Sequence, residues 1–267
     1  MSKKSRRPTA QTSSTSASAS AAPTTDKSLL ALIGTPQLAP PWPLSEVGLT
    51  LLALALGVLA LGAGVATTLS GSRGLTVGAL LVGWIVGLVV VGAYVWAVRT
   101  RTQADYAALR LVKPRSHPLL LALLGATSAL TLDVLAGLAS GVFLGALELR
   151  GASGLADWLA GGLLLLVVQP IVHGLVFAGV ILPRLRASLG PWAGYLGMAA
   201  LLAIYHVLAY GSGLGGAAAF WYGLIVPFGW GLVLGAVRLR TASTAAAIMA
   251  HAGYGLMMAL LAFAVSA

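Results

Sequence analysis

Long stretches without charge constrain this chain more than any other feature. Beyond Ser45 the charged residues stand in short clusters, and several apolar runs between them reach or pass the ~18 residues that mark a membrane-crossing helix. Charged residues make up 8% of the chain, against about 25% in a soluble domain. The chain therefore reads as an all-α polytopic transmembrane helix bundle. Seven spans are expected, at roughly 46–70, 75–98, 118–147, 157–183, 191–211, 217–237 and 241–266. The third run is too long for a simple crossing. It is either a strongly tilted helix or a span followed by an interfacial turn.

Charge placement supports this count. In a soluble protein a net charge of +10 would suggest nucleic acid, but loop arginines in a membrane protein set topology. Seven spans put the clusters Arg99–Arg115, Arg184–Arg186 and Arg238–Arg240 on one face, nine positive residues against Arg73 and Arg150 on the other. The N-terminus is then cytoplasmic and the C-terminus external, in an integral protein of a prokaryotic plasma membrane whose first partner is the lipid bilayer. The basic stretch 99–115 shows no nucleic-acid pattern and suits anionic headgroups. The chain has no cysteine, which excludes disulfides and thiolate chemistry.

The chain divides into three parts. Residues 1–45 form a basic, Ser/Thr/Ala-rich tail and a Pro-rich entry. Sixteen of the twenty-one residues from Pro8 to Ser28 are Ser, Thr or Ala, and none before Leu29 is large and apolar, so a disordered tail is expected. It lacks the apolar centre of a signal peptide. "LLALIG" at Leu29 then suggests a short interfacial piece. Residues 46–156 hold the N-terminal spans and 157–267 a C-terminal transmembrane core.

Within that core, three histidines fall near mid-membrane. At 1.5 Å per residue His173 and His251 lie ~15 Å from the basic face and His206 ~22 Å. Asp133 lies near the same level, the one acidic residue well inside a span. Buried ionisable groups face a partner or a water-filled cavity. Two readings stand open: histidines that hydrogen-bond across helix interfaces, or three neutral imidazoles that hold a zinc ion with one open position. Gln169 and Tyr254, one turn from His173 and His251, could orient the rings. "GASG" (Gly151 to Gly154) has the look of a rhomboid serine-protease motif but reads better as an external turn, as does "GSGLGG" (Gly211 to Gly216).

Three stretches, "PIVHGLVFAGVILPRLRASLGPWAGYL", "LLAIYHVLAYG" and "GWGLVLGAVRLRTASTAAAIMAHAGYGLMMAL", resemble in that order the core of the CPBP (CAAX-protease and bacteriocin-processing, or Abi) family of intramembrane proteases. The resemblance runs from about Asp157 to Leu260. It implies a helical membrane core and three motifs: Glu-Glu-x-x-x-Arg, whose glutamate activates water, Phe-x-x-x-His and His-x-x-x-Asn. His206 and His251 keep the family histidines. His173 and Gly174 stand where the paired glutamates would be, Ala178 for the arginine, Leu202 for the phenylalanine and Gly255 for the asparagine. The resemblance thus implies a homologue of an intramembrane metalloprotease with lost or altered peptidase activity. If it is active, His173, His206 and His251 would hold a metal and its water, with Asp133 the nearest carboxylate. The alternative is a non-catalytic scaffold on the same fold, engaging a lipid, a membrane protein or a lipidated peptide through the interior cavity.

Overall fold

The computed structural model describes residues 28–211 and 214–266; the expected tail lies outside them apart from its last residue, Ser28. Among the described residues there is no strand. A short helix α1 (Leu29–Gly34) precedes the first span. Seven helices are long and apolar enough to cross a bilayer: α2 (Ser45–Ser70), α3 (Val77–Arg99), α5 (Pro118–Ser140), α6 (Leu155–Leu189), α7 (Pro191–Tyr210), α8 (Gly216–Thr241) and α9 (Thr244–Ser266). A short α4 (Gln103–Leu109) sits in the connection between α3 and α5.

The bundle is built around α6. Its apolar window is 83% buried, whereas the other six spans bury 28–50% of theirs and leave the rest for lipid. Close packing without a hydrophobic drive between helices requires small residues at the contacts. α5 meets α9 in this way: a Cβ at Gly125 would overlap the Ala250 carbonyl, and one at Gly253 would overlap that of Ala122.

Prolines shape the core helices in a repeated manner. Backbone bonding widens to the π register in Leu164–Val168, Gly174–Ile181 and Ala219–Ile225, each ending two residues before a proline: Pro170, Pro183 and Pro227. Proline offers no N–H, and its ring presses on the carbonyl four residues back. A wider turn swings that carbonyl aside without breaking the helix. The turn Gln169–His173 therefore lies between two widened stretches of α6, with both end residues buried.

The arginine clusters come together on one face, as seven crossings require. Arg186 donates to the carbonyls of Leu32 (3.3 Å), Ile33 (2.9 Å) and Thr35 (2.7 Å) at the end of α1. Trp42 Nε1 donates to the Val180 carbonyl at 3.3 Å, and Arg99 pairs with Glu46 at 2.6 Å. The Pro-rich entry is thus bound to the core, with Ile33 and Trp42 buried. Thr244 N–H donates to the Arg110 carbonyl at 3.0 Å, which ties the 99–117 connection to the α8–α9 junction. α6 runs to Leu189 because Arg184 and Arg186 form part of its last turns rather than a loop.

On the opposite face the long third run resolves into a span and a turn. α5 stops at Gly141, whose φ of +75° closes the helix. The following residues fold inward. Leu144 N–H donates to Tyr222 Oη (3.3 Å), Gly145 N–H to Asp133 Oδ1 (3.1 Å) and Ala146 N–H to the Met258 carbonyl (3.2 Å). A 3-10 turn, Leu147–Leu149, then leads to α6.

Candidate functional site

α6, α7 and α9 bring the three histidines together. The His173 ring centroid lies 5.5 Å from that of His206 and 5.4 Å from that of His251, so His173 is the middle ring. Phe177 and Tyr205 complete its surroundings at 5.7 and 5.1 Å. His173 is fully buried and His251 nearly so.

The hydrogen bonding of these rings is incomplete. His206 Nδ1 donates to the Leu202 carbonyl at 3.1 Å; a carbonyl only accepts, so this bond puts the proton on Nδ1 and leaves Nε2 with a free lone pair. Among the described residues, neither His173 Nδ1 nor His173 Nε2 has a partner, and His251 Nδ1 has none. Trp230, 5.2 Å from the His251 ring, also leaves its Nε1 without an acceptor. Buried polar atoms are almost always paired; here the three imidazole nitrogens are open to a further group, whereas the Trp230 N–H can meet only an acceptor. His173 thus does not make the interhelical hydrogen bond expected of a packing histidine.

A small cavity of about 30 Å³ opens beside His206 and His251, with Glu148, Gln169, Tyr222 and Tyr254 among its walls. That is room for one or two waters or a single ion. The imidazoles of His206 and His251 and the carboxylate of Glu148 on its wall are donor types that suit a borderline divalent ion such as zinc, while His173 does not itself line the cavity. Among the described residues, however, no three His, Cys, Asp or Glu side chains already point at one position. The rings are gathered, but their nitrogens are not.

The remaining expected residues fall as follows. Gln169 Nε2 donates to Glu148 Oε1 at 2.7 Å. Tyr254 lines the cavity and stacks on Trp230 at 4.2 Å. Asp133 accepts from Gly145 N–H and receives Tyr222 Oη on its carbonyl at 3.4 Å, so it anchors the inward loop. The carboxylate on the cavity wall is Glu148, a residue that sequence reasoning did not single out. The signal was its apolar setting, "LGALEL", which no solvated loop needs. Ser153 is exposed, and its N–H and that of Gly154 meet Asp157 Oδ2 at the start of α6. "GASG" is therefore a helix entry. In "GSGLGG", residues 212 and 213 lie outside the described residues.

The positions at which the resemblance expects the other motif residues are packed. Ala178 and Leu202 are fully buried. A Cβ at Gly174 would meet the Ile248 side chain, and one at Gly255 would overlap the Leu165 backbone carbonyl.

A larger cavity of about 640 Å³ lies on the side away from the arginine clusters, between α2, α3, the inward loop and the end of α7. Leu147 and Glu148 line both cavities. The interior site therefore faces the arginine-poor side.

Residues 155–257 match the family model described as Type II CAAX prenyl endopeptidase Rce1-like. No curated protein and no solved structure matches the chain.

Proposed function

We propose that this chain, which carries a CAAX-protease-family domain over residues 155–257, is a divergent member whose interior histidines form a metal centre without the family's glutamate-based peptide hydrolysis. One observation carries the reading: a fully buried His173 with both ring nitrogens unpartnered, between the rings of His206 and His251. His173, His206 and His251 would hold zinc. When bound, zinc supplies Lewis-acid chemistry. The chain's own residues fix the His206 tautomer through Leu202 and hold Glu148 through Gln169.

The packing supports altered peptidase chemistry. Hydrolysis of a peptide needs a base for water and an acid for the leaving amine. The residue at the glutamate position is an imidazole, and the asparagine position is closed by the Leu165 carbonyl against Gly255. Ala178 brings no charge where the family has arginine. The same closure favours the second reading, a non-catalytic scaffold that uses the cavity for a lipid or a membrane protein.

Zinc separates the two. In detergent or nanodiscs, zinc at neutral pH should raise the thermal stability of the wild type by mass action on the folded state. The shift should fade near pH 5, where protons compete for the ring nitrogens, and vanish in His173→Leu, His206→Ala and His251→Ala. A wild type that ignores zinc leaves the scaffold reading. Incubation with a prenylated CAAX peptide should release no C-terminal tripeptide, and cleavage lost in His206→Ala would restore ordinary family proteolysis.

A further inference from the structure

The inward loop delivers a carboxylate to the histidine cluster from outside every family motif. We infer that Glu148 is the charge-compensating group of this centre, in place of the glutamate that the α6 motif has lost. The inference rests on the metal-centre reading and adds a residue that neither the motifs nor the spans identify.

Three independent features drive Glu148 inward. The loop backbone is pinned to three helices, through Tyr222, Asp133 and Met258. Gly145 has φ +61° and lies against the α9 backbone at Ala262, so the chain can turn here only with glycine. Leu149, 3% exposed, packs where Gly161 of α6 leaves room, which fixes the 3-10 turn on both sides of Glu148. Glu148 itself is 7% exposed.

A carboxylate in that position is costly without compensation. Its hydrogen-bond partner Gln169 is a neutral amide, which occupies one lone pair and leaves the charge. The cavity on which it stands is walled by His206 and His251. Three neutral imidazoles around a divalent cation leave its full charge uncompensated, and a nearby anion in a low-dielectric interior interacts strongly with it. Each group therefore lacks what the other supplies. The larger cavity shares Glu148 on its wall, with Trp84, Tyr210 and Arg150, so the carboxylate stands between the two cavities.

The test is zinc titration of the full chain in detergent, with wild type, Glu148→Gln, Glu148→Asp and His206→Ala compared. Glu148→Gln keeps the shape and can still accept from Gln169 through its amide oxygen. Its zinc Kd should rise about 10- to 100-fold, the usual cost of removing an outer-shell partner. Glu148→Asp, which keeps the charge, should stay within about tenfold of wild type, while His206→Ala should lose saturable binding. Wild-type affinity in Glu148→Gln overturns the inference and leaves the histidine centre standing. Equal losses in the Gln and Asp variants mean a role in shape, not charge, and also overturn it. Should Glu148→Gln fail to fold, Glu148→Asp decides alone: a loss as complete as that of His206→Ala contradicts the inference. No binding by the wild type removes the metal-centre reading and this inference together.

Discussion

Gly255 shows how a single position can close a site. The family places an asparagine there, one turn beyond His251, yet in this chain the Leu165 carbonyl of α6 occupies the space that a Cβ would need. Gly255→Asn should cost stability by overpacking, about 1–3 kcal/mol or more, because backbone must move. Gly174→Ala should cost less, since the obstacle is a side chain, Ile248 at Cγ1, and not a backbone carbonyl. Thermal melts of both variants in one detergent check the order, and a well-tolerated Gly255→Asn would mean that α6 and α9 can separate to admit the family side chain. The residue scale is also where sequence reading divides. His173, His206 and His251 stood out because mid-span histidines are conspicuous in apolar text. Glu148 did not, because a carboxylate two residues before Arg150 and close to Asp157 resembles any solvated loop until Gly145, Ala146 and Leu149 are seen to fold it inward.

Among the elements, the seven spans were legible almost to their ends because hydrophobic run length reports directly on crossing helices. What run length could not convey is where a run bends. The third run continues apolar past Ser140, and only Gly141, with its positive φ, ends α5 there. The inward loop that follows hangs on Asp133, so the one acidic residue inside a span is an anchor for the element that carries Glu148. Asp133→Ala should leave the Gly145 N–H without its acceptor and cost about 1–3 kcal/mol. Amide exchange should rise across residues 141–149 while α7 stays protected. Unchanged exchange there would show that Tyr222 and Met258 hold the loop without Asp133. The widened turns were equally hidden, although those of α6 and α8 stand just before a proline on the page. A proline in an apolar run marks a disturbed turn, but not which way the helix accommodates it.

For the whole molecule, the arginine distribution orders the faces. Arg99, Arg186 and Arg238 are nevertheless buried rather than free in loops, each given to structural contacts. The topology they imply predicts that a reporter fused at Gly190 reads cytoplasmic and one fused after Ala267 reads external; the same side for both would break the seven-span arrangement. The cavities lie towards the arginine-poor face, so a soluble chelator added outside sealed cells should reach the centre more readily than one confined within. The central claim is that three histidines on α6, α7 and α9 share one ion, and X-ray absorption at the zinc edge of the zinc-loaded, washed protein tests it most directly. The account predicts about one zinc per chain, first-shell nitrogen at about 2.0–2.1 Å and outer-shell imidazole scattering from roughly three rings, with the metal lost in His173→Leu. A protein that retains no zinc, or zinc coordinated by oxygen alone and unaffected by His173→Leu, would contradict it.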